Sequence, residues 1–351
     1  MANEGILLVT GRQVESVLAG RRVQVADAVR AAYCAHGRGE DSLPAAATLR
    51  FPDRPRNRII ALPAQTGADR SVAGIKWISS FPANTEAGLE RASAVILVNS
   101  TDTGRVTAVI EGSVISAQRT AASAAIAAAA AHRATGPSVL GLIGCGRINY
   151  EILQFLLAVG PAVDSVVVHD VSAQRAQSFA DRCADSAPGL KTSLAASVQD
   201  VLEACSLVSF ATTALAPHVP DLSMCPPDTT ILHISLRDIA PEAILGAENI
   251  VDDVDHVCTA QTSVHLAEQL AGHRDFIRTT ICDVLLGRAP ARGDGPRPLV
   301  FSPFGMGTLD MALAGLVVDA VRDEAPTMAD FWPEPWSSTG PAAPAAAGSA
   351  R

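Results

Sequence analysis

Lysine is almost missing from this chain of 351 residues, because only Lys76 and Lys191 occur among its 27 basic residues. The arginines that replace lysine form no basic run, and the formal net charge is −9 at pH 7. Nucleic acids and anionic membrane surfaces both attract clustered positive charge. The composition therefore argues against either of them as the main partner, and we expect a small-molecule substrate.

Long apolar runs, a leader and paired cysteines are also absent. No apolar stretch reaches membrane-spanning length without interruption, and the first residues lack a charged and then apolar leader. The seven cysteines are widely spaced and never form Cys-x-x-Cys, which disfavours a disulfide framework or a zinc site. We expect a cytoplasmic protein with reduced thiols and no metal. The acidic and histidine-bearing segment 252–256 is interpreted as a solvated loop.

The most informative motif lies in the middle of the chain, where residues 139–143 predict a strand that leads into Gly144-Cys-Gly146 and the start of a helix. Gly144 permits a tight turn, Gly146 lets the backbone approach a pyrophosphate, and the helix N-terminus offers free N–H groups. Asp170 follows 26 residues after Gly144, at the end of the next expected strand. A carboxylate there can accept both ribose hydroxyls of NAD and repels the 2′-phosphate of NADP. The motif predicts NAD binding.

Two residues of this motif have a second interpretation. Asn149 stands where a third glycine is usual, so we expect looser or shifted packing between helix and strand. Cys145 lies inside the turn, where a small loop residue is a better interpretation than a redox-sensitive thiol.

The chain is expected to have an α/β fold in which a Rossmann-type, doubly wound parallel sheet is inserted in a second, α+β domain. Residues 136–299 alternate strands with helices, as such a sheet requires. Residues 1–135 predict a mainly antiparallel domain, to which a helix at 309–322 returns, so that 300–330 belong to it as well. The tail, 331–351, is rich in proline, alanine, glycine and serine and is expected to be disordered.

The individual elements follow from apolar periodicity and turn residues. In the first domain the expected strands are 5–9, 45–51, 58–62, 72–79, 94–99 and 106–111, and the expected helices are 12–18, 23–36 and 113–134. In the second domain the expected strands are 139–143, 165–169, 207–211, 230–234 and 249–251, and the expected helices are 148–158, 173–185, 197–204 and 241–245.

Four cations of the first domain are candidates for binding substrate carboxylates: Arg50, Lys76, Arg91 and Arg119. Lys76 lies within an apolar strand, and Arg119 lies in a stretch of small, apolar helical residues. A buried cation needs an anion, and a bound carboxylate would serve.

Asp238 ends a buried strand of the second domain, and ligands bind at the carboxyl ends of such strands. Two interpretations stay open: Asp238 is a general base toward an amine or a water, or it caps the helix that begins at Pro241. Gly305 and Gly307 likewise form either a second loop close to the nicotinamide or the turn before the last helix.

Taken together, Lys76, the segments 84–88 and 116–122, the Gly-x-Gly turn and Asp238 resemble the ornithine cyclodeaminase and mu-crystallin family over about residues 5 to 325. Longer motifs resemble a narrower branch of that family, the N-(2-amino-2-carboxyethyl)-L-glutamate dehydrogenases of 2,3-diaminopropionate biosynthesis, which serve staphyloferrin B and related siderophore or peptide-antibiotic pathways. These motifs lie at 78–84, 88–94, 233–238 and 301–307.

The resemblance implies roles for individual residues. Arg50, Lys76 and Arg119 would hold substrate carboxylates, and Asp238, with Lys76, would be catalytic. Arg91 stands where ornithine cyclodeaminases have threonine, and a third cation suits an extra carboxylate and disfavours the ammonium of ornithine. The implied cofactor-binding residues are Gly144, Gly146, Arg147, Ile148, Asp170, Thr212 and Ser235.

The same resemblance implies a homodimer and a pathway partner, a pyridoxal-phosphate enzyme that joins O-phosphoserine to glutamate. The leading hypothesis is NAD-dependent oxidative hydrolysis of N-(2-amino-2-carboxyethyl)-L-glutamate to 2-oxoglutarate and L-2,3-diaminopropionate. Alternatives within the family are an ornithine cyclodeaminase, an alanine dehydrogenase or a ketimine reductase. A ligand-binding protein without turnover is disfavoured because Lys76, Arg119 and Asp238 are all present.

Overall fold

The computed structural model describes residues 5–67, 71–133, 136–329 and 331–333. The predicted disordered tail, from 334 onward, lies outside the described residues. Within them, no helix is both long enough and apolar enough to cross a bilayer.

The secondary structure forms two groups of elements along the chain. The first comprises β1 (Ile6–Val9), α1 (Gly11–Leu18), α2 (Arg22–Gly37), β2 (Ala47–Arg50), β3 (Arg58–Gln65), β4 (Ala73–Ser80), a 3-10 helix (Pro82–Ala87), β5 (Ala92–Asn99), β6 (Val106–Glu111) and α3 (Ser113–Ala131). The second comprises β7 (Ser138–Ile143), α4 (Arg147–Val159), β8 (Val163–His169), α5 (Ala173–Ser186), β9 (Lys191–Leu194), α6 (Val198–Ala204), β10 (Leu207–Phe210), β11 (Thr230–His233), α7 (Pro241–Gly246), β12 (Glu248–Val251), α8 (Val254–Val257), α9 (Ser263–Ala271), β13 (Ile277–Thr280), α10 (Ile281–Leu285), β14 (Leu299–Ser302), α11 (Gly307–Val321) and β15 (Thr327–Met328).

The second group builds an eight-stranded sheet with the order β13-β12-β14-β11-β10-β7-β8-β9, in which every pair is parallel. The predicted fold class is confirmed. The strand order reverses between β7 and β10, and ligands of such sheets bind in the crevice outside the carboxyl ends of the strands at that point. The glycine turn after β7 and the loop after β10 therefore flank the expected crevice.

The first group builds a seven-stranded sheet with the order β15-β1-β6-β5-β4-β3-β2. Its pairs from β2 to β6 are antiparallel, as predicted, whereas β1 runs parallel to β6. β14 is a buried central strand of the other sheet, so residues 300–302 pair there and the chain returns to the first sheet only with α11. Sequence patterns missed β9 and β13, because their sequences, KTSL and IRTT, contain no apolar run.

Two helices connect the sheets. The alanine-rich α3 packs against α2 and α4 and also contacts β11 and β14, and its small side chains permit this close approach. α11 packs on α2, β3 and β4, as expected of a last helix that returns to the first domain. One apolar core runs through both helices and both sheets.

Asn149 ties the glycine turn to the parallel sheet. Its fully buried amide nitrogen donates to the carbonyls of Ile143 at 2.9 Å and Gly144 at 2.8 Å, and its oxygen accepts from Ser209 Oγ at 2.7 Å. The expected looser packing at this position was wrong, since three hydrogen bonds join α4 to β7 and β10 here. Gly144 has φ +94°, and a Cβ there would lie 2.6 Å from the carbonyl oxygen of Ala211, so glycine is required.

Replacing Asn149 by alanine should lower the free energy of unfolding by about 3 kcal/mol, because the Gly144 carbonyl and the Ser209 hydroxyl lose this partner at about 1–3 kcal/mol for an unsatisfied group. The Ile143 carbonyl keeps its hydrogen bond from the Ala211 N–H. Urea denaturation measures the loss. Leu157→Ala, at an exposed position of the same helix, is the matched control. An Asn149→Ala protein as stable as this control would contradict the structural role.

Candidate active site

A cavity of about 1580 Å³ opens at the carboxyl ends of the parallel strands, between the two sheets. One wall carries the glycine turn, Asp170, Thr212 and His218. The opposite wall comes from the first sheet and α3 and includes Arg91 and Arg119. The cavity thus brings the predicted nucleotide turn and two of the predicted substrate cations to one place.

The start of α4 fits the phosphates of a dinucleotide. Gly146 is the N-cap residue, and no side chain caps the helix, so the first N–H groups, including those of Arg147 and Ile148, keep their capacity to bind an anion. No atom lies within 4 Å of the position that a Cβ would take at Gly146. A ligand can therefore approach this backbone closely, as expected for a pyrophosphate.

Asp170 is held as an anion at the edge of the cavity. Burial favours its neutral form, but hydrogen bonds from the backbone N–H groups of Cys145 and Ser172, each at 2.9 Å, and from Arg175 Nη2, at 2.8 Å, bring its pKa below the ordinary value. Arg175 lines the cavity and was missed, because an arginine in an exposed helix has no distinguishing pattern. Burial and the charge of Asp170 raise the pKa of Cys145 to about 12, which favours its interpretation as an unreactive loop residue.

Lys76 and Arg119 share one buried carboxylate, Asp310. Lys76 Nζ lies 2.6 Å from Asp310 Oδ2, and Arg119 Nε lies 3.1 Å from Oδ1. Burial and the neighbouring Arg119 lower the pKa of Lys76 to about 8, although Asp310 opposes the shift. The sequence argument that these cations need an anion therefore holds, but the first turn of α11 supplies one, where a bound carboxylate had been suggested. One carboxylate for two cations still leaves an excess of positive charge.

The four predicted substrate cations occupy different places. Arg119 and Arg91 reach the cavity wall, while Lys76 is fully buried behind it. Arg91 Nη1 donates to Ser80 Oγ at 2.8 Å. Arg50, on the edge strand β2, is exposed and is not among the residues that line the cavity.

Asp238 is completely buried and is surrounded by donors. The hydroxyl groups of Thr212 and Ser235 donate to its two carboxylate oxygens, and His218 Nε2 lies 3.1 Å from Oδ1. Burial acts to raise its pKa, but the hydrogen bonds from His218, His233 and Ser235 place the pKa below its ordinary value. The alternative that Asp238 caps the next helix was wrong, since the N-cap of α7 is Ala240. Thr212 and Ser235, predicted to bind cofactor, both hold Asp238 in this structure.

His218 is another residue of this site that sequence reasoning missed. It lines the cavity, whereas the carboxylate of Asp238 lies behind it, and its backbone N–H donates to the Asp238 carbonyl at 2.8 Å. A lone histidine in a loop has no motif, and only its position after β10 could have indicated it. A buried carboxylate behind an imidazole fixes the tautomer and orientation of the ring.

The loop before α11 completes the wall. Gly305 has φ +95°, and a Cβ there would lie 2.5 Å from Arg119 Nη1. Only glycine therefore lets the backbone of this turn approach the guanidinium so closely. The Gly305 and Phe304 N–H groups donate to the carboxylate of Asp252 at 2.6 and 2.8 Å. Asp252 is fully buried, and interpreting its segment as a solvated loop was wrong for this residue.

With this geometry in place, residues 9–325 match the model of the ornithine cyclodeaminase/mu-crystallin family. The chain belongs to this family. It is 27% identical over 331 residues to the N-((2S)-2-amino-2-carboxyethyl)-L-glutamate dehydrogenase of Staphylococcus aureus, an alignment that covers 92% of this chain and 97% of the relative.

Two solved structures of similar proteins superpose on nearly the whole of this chain. An archaeal alanine dehydrogenase dimer with bound NAD has a TM-score of 0.83 at 25% identity, with 93% of this chain and 99% of that chain covered. The Thermococcus litoralis Δ1-pyrroline-2-carboxylate reductase, in complex with NADH and L-proline, has a TM-score of 0.85 at 21% identity and covers 92% of this chain and 100% of its own. At the level of the family, the expected oxidoreductase class and NAD cofactor are confirmed.

Replacing Asp310 by asparagine should destabilise the protein by about 3 kcal/mol, because removal of one partner leaves buried cations without compensation. Chemical denaturation measures this loss in the free energy of unfolding. Asp319→Asn, on the exposed face of the same helix, serves as the control and should change little. A stability loss no larger than that of the control would contradict the role of Asp310 in compensating the buried charges of Lys76 and Arg119.

Proposed function

We propose that this protein is an NAD-dependent oxidoreductase that converts N-(2-amino-2-carboxyethyl)-L-glutamate to 2-oxoglutarate and L-2,3-diaminopropionate. One observation carries the proposal: the cavity wall opposite the glycine turn has more cations than anions. Asp310 serves both Lys76 and Arg119, and among the described residues Arg91 forms no ion pair. A substrate with three carboxylates supplies the negative charge that this wall lacks.

The wall discriminates between amino acids by charge. Arg119 presents a guanidinium fork suited to a carboxylate, and Arg91 adds a second one on the same side of the cavity. A cationic side chain such as the ammonium of ornithine would be repelled there. Lys76 does not reach the cavity, and its proposed role is to hold Asp310 and thereby the orientation of Arg119.

The cofactor would lie along the turn after β7. The N–H groups at the start of α4 would hold the pyrophosphate of NAD, and Asp170 would accept hydrogen bonds from the ribose hydroxyls. When bound, NAD supplies the acceptor for the hydride of the glutamate Cα.

His218 would perform the proton transfers. It takes the proton of the secondary amine as the Cα–N bond becomes an imine, and it then assists a water molecule that adds to the imine carbon. Hydrolysis gives the ketone of 2-oxoglutarate and the free amine of L-2,3-diaminopropionate. Donors hold the pKa of Asp238 below its ordinary value, and Asp238 is not among the residues that line the cavity, which favours His218 over Asp238 as the base. We therefore assign it the positioning of His218.

We also propose a homodimer formed through the first sheet. Trp77 and Val95 are paired across β4 and β5, and their side chains are 44% and 42% exposed. Apolar side chains in such a row on a sheet face are typical of an interface. A pyridoxal-phosphate enzyme that joins O-phosphoserine to glutamate would supply the substrate, in a cytoplasmic route to a siderophore or peptide antibiotic.

The activity is tested by mixing protein, NAD⁺ and N-(2-amino-2-carboxyethyl)-L-glutamate and following NADH by absorbance. We expect equal amounts of NADH, 2-oxoglutarate and L-2,3-diaminopropionate. L-Ornithine and L-alanine are the comparison substrates. Absence of NADH with the glutamate adduct, together with turnover of ornithine to proline, would overturn the proposal.

The assignment of the base is tested with His218→Gln and Asp238→Asn. His218→Gln should reduce kcat by about 10²-fold or more, with NAD⁺ affinity retained. Asp238→Asn should also lower kcat, because His218 Nε2 loses the carboxylate that orients its ring. His273→Gln, at an exposed position, is the control. If His218→Gln kept wild-type kcat while Asp238→Asn lost it, Asp238 would be the base.

A further inference from the structure

Four arginines lie near one another beside the cavity wall, although only Arg91 lines the cavity: Arg50, Arg58, Arg91 and Arg237. We call them the arginine cluster. Arg50 of β2 pairs with Arg58 of β3, and Arg58 pairs with Ser80 of β4, so their side chains share one face of the sheet. Arg91 joins this row by donating to Ser80 Oγ at 2.8 Å and also lines the cavity.

The fourth member comes from the other sheet. Arg237 lies in the loop after β11, directly before Asp238. Burial lowers the pKa of Arg58, and the positive charges of Arg237, Arg91 and Arg50 lower it further. Burial and the charge of Arg50 lower the pKa of Arg237 in the same way. The arginine cluster therefore brings together guanidinium groups carried by segments of both sheets and concentrates positive charge beside Arg91, the member that lines the cavity.

No acid of the described residues compensates this charge by an ion pair with any of the four arginines. The contrast with the neighbouring cations is clear, since Lys76 and Arg119 have Asp310. Half-buried guanidinium groups that repel one another raise the free energy of the ligand-free protein unless an anion binds among them.

The backbone around Arg237 is held in an unusual conformation. Leu236, Ala260 and Gln261 have φ values of +67°, +55° and +55°, in the left-handed region that non-glycine residues rarely adopt. Arg237 Nη2 donates to the Ala260 carbonyl at 2.6 Å, and the Ser263 N–H donates to the Leu236 carbonyl at 2.7 Å. These hydrogen bonds join two loops with strained residues and fix the position of the Arg237 guanidinium, and backbone strain of this kind clusters at ligand sites.

We propose that Arg58 and Arg237, with Arg50, form a second carboxylate subsite, which binds a carboxylate of the substrate remote from the reacting carbon. Arg91 connects this subsite to the cavity wall at Arg119. The inference rests on the proposed function and extends it by naming the residues that select a substrate with more than one carboxylate. Binding there would neutralise the repulsion across the cleft and draw the loop that carries Asp238 toward the first sheet.

Binding to the NADH-loaded protein tests the subsite without turnover. Titration calorimetry would compare 2-oxoglutarate, L-2,3-diaminopropionate and 2-oxobutyrate, which has the keto acid end of 2-oxoglutarate but no second carboxylate. Each of the variants Arg58→Gln and Arg237→Gln should weaken the binding of either 2-oxoglutarate or L-2,3-diaminopropionate at least tenfold. The affinities for 2-oxobutyrate and NADH should stay unchanged. Loss of 2-oxoglutarate binding assigns the glutamate half to the subsite, and loss of L-2,3-diaminopropionate binding assigns the other half.

Two further measurements keep failure of the subsite separate from failure of the proposed function. Tricarballylate, a tricarboxylate without a reacting group, should bind the wild-type protein and lose affinity in both variants even if the glutamate adduct is no substrate. The unfolding temperature of both variants should equal or exceed that of the wild type, since each removes a repelling charge. Arg322→Gln, at the exposed C-cap of α11, is the control. The subsite would be overturned by unchanged affinity for all three ligands with a candidate subsite carboxylate, namely 2-oxoglutarate, L-2,3-diaminopropionate and tricarballylate. Absence of tricarballylate binding by the wild type would overturn it as well.

Discussion

The contact of Asp310 with Lys76 and Arg119 is the interaction on which the arrangement of the cleft depends. It joins the first turn of α11 to β4 and α3 in a region closed to water. Charges taken out of water are costly unless they are paired with good geometry, so the three side chains constrain one another. Arg119 is the member that reaches the cavity, and Gly305 leaves room for its guanidinium. Asp252 in turn holds the backbone of Gly305.

The same design recurs on the opposite wall. Asp238 is buried, accepts hydrogen bonds from Thr212 and Ser235, and presents His218 to the cavity. In both places a carboxylate that cannot reach the ligand orients a side chain that can. Such buried anions keep their charge because several donors compensate the loss of hydration. The side chains that we propose to bind and react are therefore positioned by hydrogen bonds within the protein, which is the condition for efficient electrostatic catalysis.

The residues that sequence reasoning identified are those with a local signature. The glycine turn and Asp170 lie in one strand-turn-helix-strand unit, and Lys76 stands out because it interrupts an apolar strand. His218, Arg58, Arg237 and Asp310 have no such signature, since each acquires its role from a partner far away in the chain. Asn149 shows the opposite error: a departure from a glycine motif suggested loose packing, yet its amide forms hydrogen bonds that a glycine could not.

From the sequence alone, the alternation of apolar strands and helices determined the parallel sheet, the glycine spacing determined the nucleotide turn, and long motifs determined the family. These are properties of short segments, whose hydrogen bonding and periodicity are local. Only the tertiary structure decided which ionisable groups are buried, which anion each cation meets, and which residue of the Asp238–His218 pair faces the cavity. Those outcomes depend on desolvation and on distances between segments that folding brings together, and neither quantity is contained in the order of the residues along the chain.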